Sequence, residues 1–111
     1  MDSKDIKVLG KIVEHCLSII DVTKDITNAD QFKENNMESK AALFDLMQIG
    51  ELVQNGLSRE AVSELTSIPW EQIYAMRNRI VHGYASVDYL IIWDTITYDI
   101  PDLLEEISQY I

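Results

Sequence analysis

Apolar residues return along most of this chain every three or four positions, the spacing that stacks side chains on one face of an α-helix. From Lys4 to Val22 the series Ile6, Leu9, Val13, Cys16, Leu17 and Ile20 predicts an amphipathic helix, with Lys4, Lys7 and Lys11 as a solvated stripe on the opposite side. His15 falls toward the polar side without a metal-spaced partner and reads as a surface histidine. Thr23 to Asn36 is polar, with Asn28, Asp30, Asn35 and Asn36 as turn or capping candidates and Phe32 as a small anchor. A connector with one helical turn is expected there.

The next periodic stretch, Glu38 to Gln54, carries Ala42, Leu46, Ile49 and Val53 on one stripe, with Leu43, Met47 and Gly50 beside it. So broad an apolar face predicts a central helix, closely packed at Gly50 and stopped by Asn55-Gly56. Ser58 to Leu65 predicts a short helix. Pro69 suits a first helical position and Glu71 the first turn, so a helix follows toward Val81, buried through Ile73, Met76 and Ile80 and ended by Gly83. Ser86 is the expected N-cap of a long terminal helix with the stripe Ile92, Ile96, Ile100, Leu103, Ile107 and Tyr110, which Pro101 should kink or divide. With no strand-like alternation and no repeat, the fold class is all-α: an antiparallel four-helix bundle with an additional short helix.

Composition narrows the function. One domain spanning 1–111 is expected for 111 residues, and 47% apolar content supports a folded core. No stretch approaches the ~20 apolar residues of a membrane span, and Met1-Asp2-Ser3-Lys4-Asp5 lacks the pattern of a secretion signal, so a cytoplasmic protein without membrane association is expected. The single cysteine, Cys16, reads as core filling. A net charge of −10 excludes a broad basic face for nucleic acid, so any polyanion must be held locally.

One segment can do that. "RNRIVHGY", Arg77 to Tyr84, places two arginines, an asparagine, a histidine and a tyrosine in one helical run. At about 100° per residue Asn78 and His82 share a face, whereas Arg77 and His82 are about 140° apart, so only a long guanidinium reach, the helix end at Gly83 or a second subunit brings both to one phosphate. His82 has the chemistry for proton transfer at an RNA 2′-hydroxyl, Arg77 for stabilising phosphate charge, and Asn78 for orienting either. Arg79, about 60° from His82, is a supporting candidate for substrate contact or an outward salt bridge. Glu71 and Asp88 have no histidine partners at ligand spacing, so metal-independent chemistry without a cofactor is expected. The spacing alone also allows a structural role, with Arg77 paired to an acid of the terminal helix and Tyr84 a half-buried aromatic.

The motif arrives with its surroundings. "IPWEQIYAMRNRIVHGYASVD", with "LMQIGELV" upstream and "IIWDTITYDIPDLLEEI" downstream, resembles the HepT-like branch of the HEPN family, most strongly from Ala41 to Ile107. The family motif Arg-x4-His-x-Tyr matches at Arg77, His82 and Tyr84, with Asn78 as the polar residue after the arginine. The resemblance implies a HEPN-like bundle and the toxin of a type II toxin-antitoxin pair: a metal-independent endoribonuclease acting through Arg77 and His82 in a groove between two subunits of a homodimer. It further implies neutralisation by adenylylation of Tyr84, carried out by a cognate MntA-like minimal nucleotidyltransferase. The alternative is a non-catalytic nucleotide- or nucleic-acid-binding partner of such a nucleotidyltransferase, and a purely structural helical dimer is a third possibility.

Overall fold

The computed structural model describes residues 1–111, and the chain is all-helical. Helix α1 runs Ser3–Thr23, α2 Ala29–Glu34, α3 Asn36–Glu51, α4 Arg59–Glu64, α5 Trp70–Gly83, α6 Tyr89–Asp94 and α7 Ile100–Ser108. Helix α3 continues through a π turn at Leu52–Gly56, and a second π turn at Thr95–Asp99 joins α6 to α7. Four long rods result: α1, α3, α5 and the α6–α7 helix. The connectors carry α2 and α4, so two short helices accompany the bundle.

Contacts at the two ends set the direction of each rod. At one end the Asp5 carboxylate accepts from the Ser58 backbone N–H (2.9 Å) and hydroxyl (2.7 Å), and the Ser67 hydroxyl donates to Glu106 (2.9 Å). At the other end Phe32 of α2 meets Tyr89 and Trp93 of α6, with centroids 5.9 and 5.6 Å away. The rods therefore alternate in direction, as short connections require. Helix α1 packs on α3 and α7, and α3 also packs on α5, but α5 has no comparable contact with α6 or α7. One edge of the bundle stays open.

The α1 stripe is rotated from the one that periodicity predicts: Leu9 and Cys16 are buried and Lys4, Lys7 and Lys11 exposed as expected, but half of the stripe faces out. Val8, Leu9, Ile12, Cys16 and Ile19 are buried, whereas Ile6, Leu17 and Ile20 are exposed. Apolar residues cover more than half of this helix, and polar residues decide its rotation. Asp5 turns inward to Ser58, and buried Thr23 donates to the Ile19 carbonyl (2.7 Å). His15 is likewise no simple surface residue: its Nδ1 lies 2.8 Å from Asp45 of α3, which also accepts from Ser18 (2.7 Å). Cys16 fills the core, and burial, with Asp45 nearby, pushes its thiol up to about 12.

Near the C-terminus, Asp88 and not Ser86 caps α6. Its carboxylate accepts from the Leu90 and Ile91 N–H groups, while the Ser86 hydroxyl donates to the Gly83 carbonyl within the 3₁₀ turn Tyr84–Ser86. The last rod is divided where Pro101 predicts a break, since the π turn Thr95–Asp99 separates α6 from α7 directly before it. The proline sits at the start of α7, directly after the π turn, whose wider register accommodates the missing N–H and the ring. The helix ends at Ser108, leaving Tyr110 exposed instead of on the buried stripe.

Candidate functional site

Helix α5 carries the motif, and its position depends on a glycine of α3. A Cβ built on Gly50 would overlap the Cβ of Arg77 and lie 2.7 Å from its Cγ. Only a residue without a side chain lets the two helices approach this closely. The stem of Arg77 thus enters the α3–α5 seam, and its guanidinium emerges at the edge.

There the guanidinium meets three groups. Its Nη1 donates to Asn78 Oδ1 (2.8 Å), its Nη2 lies 3.3 Å from Glu51 Oε2, and its Cζ is 5.7 Å from the Tyr74 ring centroid. Asn78 shares a helix face with His82, so this bond links the guanidinium to a side chain on the histidine's side of α5, while Glu51 and Tyr74 hold it from the other. With its oxygen engaged by Arg77, the Asn78 amide keeps two N–H donors for another acceptor on that face.

His82 occupies the last turn of α5, exposed and without a hydrogen bond or ion pair inside the chain. Tyr84 opens the following 3₁₀ turn, 43% exposed, and its hydroxyl has no partner within the chain. Arg77 and Asn78 are half-buried along α5, and His82 and Tyr84 are exposed at its C-terminal end. Arg79 does not join them. It points to the other flank, into a trough between α5 and the α6–α7 helix, and forms no ion pair. The trough between α5 and the α6–α7 helix is lined by Arg79 but not by Arg77, His82 or Tyr84.

Glu51 and Tyr74 went unrecognised in the sequence. Tyr74, three positions before Arg77, had a readable signal, since residues three apart are neighbours on a helix. Glu51 had none, because it belongs to a different helix and meets Arg77 only through the packing that Gly50 permits. The acid that pairs with Arg77 thus comes from α3 and not from the acid-rich terminal helix.

Comparison with known proteins gives this geometry a family. The model of the HepT-like ribonuclease family matches residues 12–110. A protein named "Putative RNase MJ0127" from Methanocaldococcus jannaschii is 33% identical over all of this chain and 91% of its own length. "Putative RNase TTE0752" from Caldanaerobacter subterraneus subsp. tengcongensis is 34% identical over 91% of this chain and 88% of its own. A shorter stretch, 32% of this chain, is 42% identical to 33% of "Probable ribonuclease HepT" from Thermococcus cleftensis. No solved structure matches the chain. No helix is long and apolar enough to cross a membrane. The all-α bundle, the motif on α5 and the match over 12–110 lead to one conclusion: the chain belongs to the HepT-like ribonuclease family.

Proposed function

We propose that the protein is a metal-independent endoribonuclease, the toxin of a type II toxin-antitoxin pair, and that Arg77 and His82 carry the reaction. The observation that supports this reading is the hydrogen bond from Arg77 to Asn78, a residue that shares a helix face with the unpartnered His82. In the reaction, neutral His82 takes the proton of a ribose 2′-hydroxyl as its oxygen attacks the adjacent phosphorus. The bond to the 5′-oxygen breaks, and that oxygen takes a proton from water or a second imidazolium. Arg77 stabilises the charge growing on the phosphoryl oxygens, and Asn78 donates to one of them.

His82 is exposed, and in this reading a homodimer supplies the second wall of the groove over it. From Gly50 and Arg77, six residues back along α3 and six forward along antiparallel α5 bring Phe44 beside the Val81 to Tyr84 end of α5. Phe44, Val81 and Tyr84 are all exposed. An apolar patch beside the motif favours a two-fold interface that places two copies of the site across one groove. Tyr84 there is open to adenylylation by a cognate minimal nucleotidyltransferase, and the added phosphate would occupy the space and charge of the RNA phosphate.

The test is RNA cleavage by the purified protein in EDTA, with Arg77→Ala and His82→Ala checked for folding by circular dichroism. Loss of cleavage by orders of magnitude in both variants is expected. Equal cleavage by wild type and folded variants rejects the site, and no cleavage by wild type leaves the binding-module reading. Tyr84→Phe should keep cleavage and lose the mass gain on incubation with the nucleotidyltransferase and ATP.

A further inference from the structure

The open edge of the bundle is a trough of about 700 Å³ between α5 and the α6–α7 helix. Its apolar lining includes Ile49 from α3, Ile73 and Met76 from α5, and Ile91, Ile100 and Leu103 from the opposite wall. That wall runs from Ile91 to Glu106, about 22 Å at the helical rise of ~1.5 Å per residue. The shape is long and open, with apolar side chains on both sides. It is the space a further helix takes when it packs between two others.

The rim supplies the charge of the occupant. Asp94, Asp99, Asp102 and Glu106 follow one another along the α6–α7 wall, with Arg79 as the single cation opposite. None of the four carboxylates forms an ion pair, for the chain's ion pairs are Met1 with Glu64, His15 with Asp45, Lys24 with Asp21, and Arg77 with Glu51. Asp99 feels the crowding: partial burial, and then the charges of Asp102 and Asp94, hold its carboxyl above the usual range. A row of like charges beside uncovered apolar surface is complementary to a ligand with an apolar stripe flanked by cations.

We propose that this trough is the docking site for a basic amphipathic helix of a partner protein. Its apolar residues, three and four apart, enter between α5 and α6–α7, and its lysines or arginines meet the four carboxylates. A second copy of the chain fits less well. Its own lysine helix, α1, would have to dock into the trough by a head-to-tail contact, not by the two-fold contact that is commonest between identical chains. The trough lies on the flank of α5 away from Arg77, so its occupancy can be tested whether or not the protein cleaves RNA.

The experiment uses the full chain and two fluorescein-labelled helical peptides. One has leucine at helical spacing flanked by lysines, and the other has glutamate in place of each lysine. Fluorescence anisotropy should show saturable binding of the lysine peptide only, with amide shifts in an NMR titration gathering on Ile73, Met76, Ile91 and Leu103. The triple variant Asp99→Asn, Asp102→Asn, Glu106→Gln should bind about ten-fold more weakly, as expected for three partly screened charge pairs. Ile91→Lys, a change at an exposed position that spares the core, should abolish binding if the triple variant proves unstable. Equal binding of both peptides, no binding, shifts gathered around Phe44, or self-association lost in the triple variant would each overturn the proposal.

Discussion

Replacing Gly50 by alanine tests the packing on which the candidate site depends. In a helix interior, Gly→Ala is ordinarily stabilising by about 1 kcal/mol, because glycine loses more backbone freedom on folding. Here the new Cβ would overlap the Cβ of Arg77 and stand 2.7 Å from its Cγ, with the Arg77 Cα at 3.5 Å. A Cβ is fixed to its backbone, so no rotamer change removes the clash; α5 itself must move away from α3. Overpacking of this kind costs about 1–3 kcal/mol, and the Cβ-to-Cβ geometry puts it near the upper end. Against the propensity gain, a net loss of about 2 kcal/mol remains, or about 8 °C in melting temperature for a chain this long. Gly10 is the control, because a Cβ there meets nothing within 4 Å. Gly10→Ala should keep the propensity gain and melt about 4 °C above wild type. Thermal unfolding followed by far-UV circular dichroism measures both. If Gly50→Ala melts at or above wild type, the seam is soft and Arg77 is not held by it.

Two further outcomes probe the ends of the bundle. Phe32→Ala removes the ring that sits against Tyr89 and Trp93 and is fully buried, so denaturant titration should show a loss of about 3–5 kcal/mol, and a loss under 1 would mean that α2 is not an anchor. The Asp5 carboxyl is held below its ordinary value of 3.8 by hydrogen bonds from the Ser58 backbone and hydroxyl, against an opposing effect of burial. A depressed carboxyl adds stability above its unfolded value that disappears as pH falls through the folded one. The urea midpoint of Asp5→Asn should therefore trail wild type at pH 7 and converge with it as the pH drops below 3.8. A gap independent of pH would refute that origin.

Much of this fold can be read from residue spacing, because the buried faces of α3, α5 and α7 follow a helical period with few competitors. Ala42, Leu46 and Ile49, then Ile80, then Ile100, Leu103 and Ile107 are buried where the pattern puts them. Helix α1 shows where the rule loses its grip. When apolar residues cover most of a helix, periodicity no longer fixes its rotation, and long-range polar contacts take over; Asp5 finds Ser58 across 53 positions. The same limit applies to the site. Arg77, Asn78, His82 and Tyr84 could be named from one segment. Glu51 could not, because its role exists only once Gly50 brings α3 against α5.

That contact also makes the site asymmetric in rigidity. The arginine end is held by a buried stem and by Asn78, Glu51 and Tyr74, whereas His82 has only the last turn of α5 beneath it. Glu51 has a second consequence: in the resting chain the guanidinium is already partly neutralised, so an RNA phosphate must compete with a carboxylate to reach it. The competition is not prohibitive, because a half-exposed ion pair contributes only about 0–1 kcal/mol in water, less than a phosphate gripped by two guanidinium donors in a groove closed to solvent. His82 is exposed, so in the proposed homodimer the partner subunit is the surface that would close the groove over it. On the proposed reading, the end of the site that binds phosphate is therefore the one already held in place, and the end that transfers the proton is the one a second subunit would complete.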